Sequence, residues 1–424
     1  MQFMQDLARV LVICVGLLCS SDQGLHLRSF PPRDSCEDLR KRMNGAGDAT
    51  MEDIEVLDSK DHLSGPAPPT NGASGEEGKD MTSKDYYFDS YAHFGIHEEM
   101  LKDQVRTLAY KDAFMMNEHL IRGKVVLDVG CGTGILSMFA ARAGAKKVYA
   151  VDCSNIVLSA RQIVKDNHLD NVITVIQAKV EELTLPDGVE KVDIIVSEWM
   201  GYCLLYEAMI DTIIYARDKW LKPGGIMFPD KASMHICAIE DRDYKEDKIN
   251  WWRNVYGFDM TYMRGHALAE PLVDAVDSRQ IATNHTMLVE IDMYTVTIQD
   301  KTFSSKFELT AKRDDYIHAL VVWFAVDFSK CHRNIRLSTS PEGEYTHWKQ
   351  TVFYLDRYIA IRRGEKLSGT FSLSPGKQNI VSPNASDAPV AQRVVHIRDL
   401  DFDITVDFEG EHGKLSSSQK FKMR

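Results

Sequence analysis

The sequence has no surplus of positive charge: 50 Lys and Arg stand against 62 Asp and Glu, for a formal net charge of −12. A surface built to neutralise phosphates needs clustered cations, so direct binding of nucleic acid is excluded, whereas an acidic field draws basic polypeptides. Cysteine is sparse. None of the eight forms a C-x-x-C pair or stands at ligand spacing from a histidine, which excludes a zinc site and leaves no metal to expect. Disulfides are not expected either; free cysteines of this kind act as small hydrophobes in a reducing compartment. The apolar run at residues 10–19 has the length of a signal-peptide core but is too short to cross a bilayer as a helix. There is no internal repeat. Residues 35–84 are rich in Gly, Pro, Ser and charge and lack apolar periodicity, so residues 1–84 read as a leader without fixed structure, and order is expected from about Tyr86.

What is present is a change of period. From residue 124 to 197 apolar strands alternate with helices: strands at 124–128, 147–151, 172–176 and 192–197, helices at 135–143 and from a cap at Ser154 to about 167. Such βαβ units demand a parallel sheet covered on both faces, giving a doubly wound α/β domain over 85–229. Beyond Pro229 the period falls to two. Strands are expected at 287–298, 303–311, 318–328, 350–355, 367–373 and 402–408, which makes residues 230–424 an antiparallel β-barrel or sandwich. One helical excursion interrupts it at 241–276, with Trp251, Trp252, Tyr256, Phe258 and Tyr262, and residues 376–395 read as a loop.

Two features carry chemistry. After the first strand, Asp128-Val129-Gly130-Cys131-Gly132-Thr133-Gly134 has G-x-G-x-G spacing, with Ile135 where a dinucleotide fingerprint wants glycine. The loop therefore suits a nucleoside ligand other than NAD. Asp152, ending the second strand, is placed to accept from ribose hydroxyls, and Glu181, after the third, from an adenine amino group. Downstream, Glu198 and Glu207 bracket the apolar segment Trp199-Met200-Gly201-Tyr202-Cys203-Leu204-Leu205-Tyr206. Paired carboxylates match the planar fork of a guanidinium. By gripping two of its nitrogens they concentrate positive charge there and leave the third richer in electrons, able to attack an electrophilic methyl. Two nearby acids repel, so one is expected to hold a proton until a cation enters.

These motifs, with Tyr87-Phe88-Asp89-Ser90-Tyr91 and Tyr345-Thr346-His347-Trp348, resemble the type I protein arginine methyltransferases from about residue 86 to the C-terminus. The resemblance implies a Rossmann-like methyltransferase domain, S-adenosyl-L-methionine as cofactor, and asymmetric dimethylarginine as product. It implies a helix from Tyr87 to Arg106 folded over the cofactor, with Arg106 pairing with the methionine carboxylate. His97, Met100, Asp128, Thr133, Cys153, Val180 and Met209 join the glycines, Asp152 and Glu181 around it. By the same likeness Asp103 and His347 form a catalytic pair, His347 accepting a proton directly or through water. Tyr87, Tyr91, Met200 and Trp348 would contact substrate. The 241–276 segment becomes a dimerisation arm, and the partners become arginine- and glycine-rich proteins and histone tails in cytoplasm and nucleus. Asp152 departs from the family's usual glutamate, from which weaker cofactor affinity is expected. Two other readings stay open: a methyltransferase of small amines, which needs no glutamate pair, and an inactive scaffold for arginine-rich tails.

Overall fold

The structure is a computed structural model and describes residues 94–376 and 398–424. The leader, the apolar run at 10–19, Tyr87, Tyr91 and most of the 376–395 loop lie outside the described residues. Two helices open the described chain, α1 (Phe94–Lys102) and α2 (Gln104–Met115). Then come β1 (Val125–Val129), α3 (Ile135–Arg142), β2 (Lys147–Asp152), α4 (Val157–Asp166), β3 (Ile173–Gln177), β4 (Val192–Val196), α5 (Ile210–Trp220) and β5 (Leu221–Phe228). The strands form a parallel sheet in the order β3-β2-β1-β4-β5. Strand order reverses at β1, so the carboxyl ends of β1 and β4 open a crevice there, the usual ligand position in such sheets.

The remainder is antiparallel. β6 (Lys231–Ile239), β7 (Leu272–Asp274), β8 (Thr286–Asp292), β10 (Asp315–Phe328), β11 (Ile335–Ser338) and β12 (Gln350–Ile361) make one sheet, ordered β7-β12-β10-β6-β8 with β11 on β10. β9 (Phe303–Thr310), β13 (Lys366–Pro375), β14 (Leu400–Gly410) and β15 (Gly413–Met423) make the second. Phe353 of the first sheet packs edge-on against Phe371, Phe402 and Phe421 of the second, at centroid distances of 5.7, 4.9 and 5.1 Å. The two sheets pack against each other around this cluster.

The core does not stop where the period changes. Tyr110 of α2 meets Phe328 of β10 at 5.0 Å, and Phe114 meets Phe228 of β5 at 5.5 Å, so α2 packs against both sheet systems. This seam holds the site.

Several expectations need correction. Ser154 does not cap α4, which starts after Ile156 with no side-chain cap; Ser154 instead gives its amide to Asp152. The strand expected at 287–298 ends at Asp292, whose carboxylate accepts the Tyr294 amide while its carbonyl takes those of Thr295 and Val296, turning the chain. The 241–276 segment is not one helix. It opens with a short α-helical turn at Arg242–Tyr244, passes through the π turn Lys245–Ile249 and the 3₁₀ turn Asn250–Arg253, reverses where the Asn254 side chain accepts the Gly257 amide, and returns to α-helix at α6 (Thr261–Ala269) before β7. Apolar spacing marks its amphipathic pieces but not the breaks between them. Strands β5, β6, β7, β11 and β15 are absent from the sequence reading: β5 carries Pro223-Gly224-Gly225, β7 and β11 are short, and β15 is polar through its middle from Ser416 to Lys420.

Candidate active site

Around the end of β1 three glycines take left-handed backbone angles, Gly130 at φ 73°, Gly132 at 52° and Gly134 at 90°. Only glycine adopts these without strain. The amides of Gly130 and Cys131 both donate to the Val151 carbonyl, at 2.8 and 3.1 Å, and the Asp152 carboxylate accepts from the amides of Gly132 and Ser154, at 3.0 and 2.8 Å. The loop is thus pinned to the end of β2. A Cβ on Gly130 would come within 2.6 Å of Met209 Cε, and one on Gly132 within 3.1 Å of the His97 ring, so the loop lies directly beneath both side chains.

Above it is a cavity of about 490 Å³. The structure brings into its wall His97, Met100, Arg106, Gly130, Gly132, Thr133, Asp152, Cys153, Val180, Glu181 and Met209, all expected around a nucleoside ligand, together with Glu198, Glu207 and Met200. Asp128 and Gly134 are not in the wall. Asp128 is fully buried and accepts from Ser137 Oγ at 2.6 Å, while its other oxygen has no hydrogen-bond partner. Burial pushes this carboxyl up to about 7. It braces the loop against α3, and its expected cofactor contact is corrected to that role. Gly134 starts α3 in the left-handed conformation.

The two glutamates sit on a tight hairpin after β4. Ser197 fastens its start, its hydroxyl donating to the Val129 carbonyl at 2.7 Å. Gly201 then pairs with Leu204, Cys203 and Leu204 turn in left-handed angles of 48° and 66°, and the Met209 amide closes onto the Trp199 carbonyl at 2.9 Å. Trp199 is buried and Met200 lines the cavity, while Tyr202 is exposed and stands outside the cavity wall.

Each glutamate has a distinct environment. Glu198 Oε2 accepts from Arg106 Nε at 3.1 Å, both side chains almost buried, and Arg106 Nη1 donates to the Met100 carbonyl at 3.2 Å. Arg106 therefore touches the hairpin and the cavity together. Glu207 stands at a left-handed φ of 54° with its amide on the Arg398 carbonyl. Burial pushes its carboxyl upward, Arg398 opposes this, and Asp399 adds to it. Burial thus favours the protonated form of Glu207.

Asp103 and His347 meet as expected, but behind the cavity wall. Asp103 Oδ2 lies 2.7 Å from His347 Nδ1 and accepts its amide at 2.9 Å, while Oδ1 caps α2 by accepting the Arg106 amide at 3.0 Å. The pair reaches the cavity through Arg106. Trp348 is corrected from a substrate contact: it is buried, with its indole donating to the Met200 carbonyl at 3.2 Å, and ties the hairpin to the antiparallel domain. Burial alone would raise the Asp103 carboxyl, but the bonds from His347 and the Arg106 amide outweigh it and hold it below its ordinary 3.8. A carboxyl depressed in the folded state adds stability above its unfolded value, and that stability is lost as pH falls through the folded one. Asp103→Ala is thus expected to cost about 1 kcal/mol or more at neutral pH through the lost cap. The gap to wild type should narrow on acidification below 3.8 in denaturant titrations; a pH-independent gap contradicts the linkage.

Other functional residues escape sequence reasoning. Tyr110, one turn after Arg106 on α2, donates to the Ser197 carbonyl at 3.0 Å and so positions the hairpin; its i, i+4 spacing from Arg106 was the available signal. Tyr215, Ile298, Lys301 and Arg398 also line the cavity, and nothing in their local sequence marks them.

Comparison with known proteins agrees with this geometry. Residues 126–225 match the methyltransferase domain family and residues 230–386 the arginine methyltransferase oligomerization subdomain. The chain is 55% identical over 346 residues to protein arginine N-methyltransferase 1 of Caenorhabditis elegans, covering 81% of this chain and 94% of that protein. It is 48% identical over 379 residues to protein arginine N-methyltransferase 1.1 of Arabidopsis thaliana, covering 89% and 90%. Among solved structures, the Trypanosoma brucei PRMT1 enzyme-prozyme heterotetrameric complex with AdoHcy superposes with a TM-score of 0.73 at 48% identity, covering 79% of this chain and all of that one (100%). The open-conformation arginine methyltransferase 10 of Arabidopsis thaliana gives 0.69 at 31% identity, covering 80% and 100%. The chain belongs to the protein arginine N-methyltransferase family.

Proposed function

We propose that this chain transfers methyl groups from S-adenosyl-L-methionine to the guanidino nitrogens of protein arginines, giving monomethylarginine and then asymmetric dimethylarginine. One observation carries the reading: Glu198 and Glu207 stand in the wall of the same cavity as the glycine loop, Asp152 and Glu181. A methyltransferase of small amines needs the loop alone, and a scaffold needs the acids alone. The donor set also fits the cofactor. Glycine backbone permits close approach, Asp152 and Glu181 suit ribose and adenine, and Arg106 supplies a fixed fork for a carboxylate. When bound, S-adenosyl-L-methionine supplies the electrophilic methyl.

The chain's own residues do the rest. Glu198 and Glu207 hold and orient the guanidinium, and holding both reactants in line replaces any need for a covalent enzyme intermediate. Glu207, with its carboxyl pushed upward by burial, receives the proton released at attack. Asp103 and His347 keep Arg106, and through it Glu198, in place. Met100 and Met209 line the cavity with slender thioethers that leave room for one methyl already on the reacting nitrogen. Hydrolysis and amino-acid analysis of a methylated Arg-Gly-rich peptide is expected to yield asymmetric dimethylarginine. Symmetric dimethylarginine, or the monomethyl form alone, overturns the product assignment.

We assign substrates to arginine- and glycine-rich proteins and histone tails, whose cations complement the net charge of −12, and a location in cytoplasm and nucleus. The working form is a homodimer joined through the 241–276 arm. Tyr256, Phe258 and Tyr262 there are 93%, 71% and 83% exposed, a cluster that a lone soluble chain has reason to cover. Replacing these three by serine is expected to give a monomer on light scattering, and an undiminished dimer removes the arm from the interface.

A further inference from the structure

The antiparallel domain reaches into the cofactor cavity. After β8 turns at Asp292, the chain enters the 3₁₀ turn Ile298–Lys301, whose start is fixed by the Thr297 amide and hydroxyl donating to the Asp300 carboxylate at 2.7 and 2.8 Å. Ile298 and Lys301 both stand in the cavity wall, facing the start of α5 with Asp211, Thr212 and Tyr215. Lys301 Nζ lies 2.7 Å from Asp211 Oδ2, with the two side chains only 15% and 23% exposed. Further along the same helix, Arg217 Nη1 donates to the carbonyls of Met293 and Val296 at 2.9 and 2.8 Å. Helix α5 is therefore tied to the β8–β9 connection at two points.

The helix in turn holds Glu181. Thr212 Oγ1 donates to Glu181 Oε1 at 3.4 Å, and the Tyr215 hydroxyl donates to the Glu181 carbonyl at 3.1 Å. Resting on the assignment of the cavity to S-adenosyl-L-methionine, we infer that Lys301 is a positioning residue for the nucleoside end of the cofactor. Its pair with Asp211 fixes the start of α5, and with it the Thr212, Tyr215 and Glu181 side of the adenine site, while Ile298 gives that site an apolar wall. An ion pair at this exposure is shielded from water more than a surface pair, and replacing Lys301 by a neutral residue takes a cation from beside the Asp211 carboxylate. Without Lys301, Asp211 confronts Glu181 across Thr212, and repulsion between the two carboxylates opens the adenine end. Arg217 still anchors the helix, so the fold survives.

The test is calorimetric binding of S-adenosylhomocysteine and of 5′-methylthioadenosine, which lacks the amino-acid end, to the full chain. Lys301→Met is expected to weaken both ligands by the same factor, about ten-fold. Asp211→Asn is expected to weaken them less, since the charge it leaves in the wall, the Lys301 cation, does not repel Glu181, and Lys301→Arg is expected to restore both. In turnover, Lys301→Met raises the KM for the cofactor and leaves kcat at saturation unchanged, a split that general loosening of the fold does not give. Unaltered binding by Lys301→Met overturns the inference while the assignment of the cavity stands. So does a loss confined to S-adenosylhomocysteine, or a failure of Lys301→Arg to restore binding. Failure of the wild-type chain to bind either ligand overturns the cavity assignment and the inference with it.

Discussion

Glu198→Gln and Glu207→Gln are each expected to lower kcat by about 10²- to 10³-fold, because each removes a charge aimed at the guanidinium as it reacts. Gln keeps the size and one acceptor oxygen, so the hairpin persists and melting temperatures stay close to wild type. The two variants should differ in a second property. Glu198 is bonded to Arg106, which also faces the cavity, so Glu198→Gln removes the charge from that bond and changes cofactor affinity as well as turnover. Glu207 has no such link to the cofactor side, and its variant should bind S-adenosylhomocysteine as wild type does. Near-normal turnover in either variant, measured as methyl incorporation into an Arg-Gly-rich peptide, sinks the proposed grip on the guanidinium.

The parts of this site that are legible in the sequence are those whose chemistry is local. Glycines at 130, 132 and 134 announce a loop that takes left-handed angles, and acids at the ends of β2 and after β3 follow from the βαβ pattern, so the nucleoside side of the cavity is readable within a residue or two. The glutamate pair is readable because bulky apolar residues separate two acids, an arrangement that no solvated face produces. What depends on distant chain is not readable. Lys301 reaches Asp211 across 90 positions, and Arg106 reaches Glu198 across 92, and nothing in either local sequence names the partner.

Trp348 and His347 show the same limit in another form. A Thr-His-Trp triplet reads as a cluster of functional side chains, yet Trp348 spends its indole N–H on the hairpin backbone and His347 spends its ring on Asp103. Both hold the site from behind. In the antiparallel domain, alternation identifies strands with one buried face, such as β9 and β14, and fails for β15, where serines and lysines occupy the outward positions and Ser417 and Gln419 interrupt the apolar inward row. The arm fails for a related reason: its breaks come from side-chain-to-backbone bonds at Asn254 and a buried Lys245 on the Asp356 carbonyl, which periodicity does not register.

Gly201→Ala is expected to abolish most turnover although residue 201 contributes no functional group. A Cβ at this position would lie 1.7 Å from the Tyr206 carbonyl oxygen, 2.8 Å from its carbon and 3.1 Å from the Ala208 amide nitrogen. All three are backbone, so no side chain can swing aside. The Gly201 amide is bonded to the Leu204 carbonyl at 3.0 Å, and making room for the methyl breaks this bond or splays the hairpin. Glu198 and Glu207 stand on opposite arms of that hairpin, so splaying changes their separation directly. A displacement of about 1 Å in a positioned group costs about 10²-fold in rate, and here both halves of the grip move. The glycine loop and Asp152 are on other elements, so binding of S-adenosylhomocysteine should fall far less than kcat. Gly95→Ala is the matched control: a Cβ there meets nothing within 4 Å, and α1 tolerates it. Wild-type turnover by Gly201→Ala would show that the hairpin's shape does not set the distance between the two glutamates.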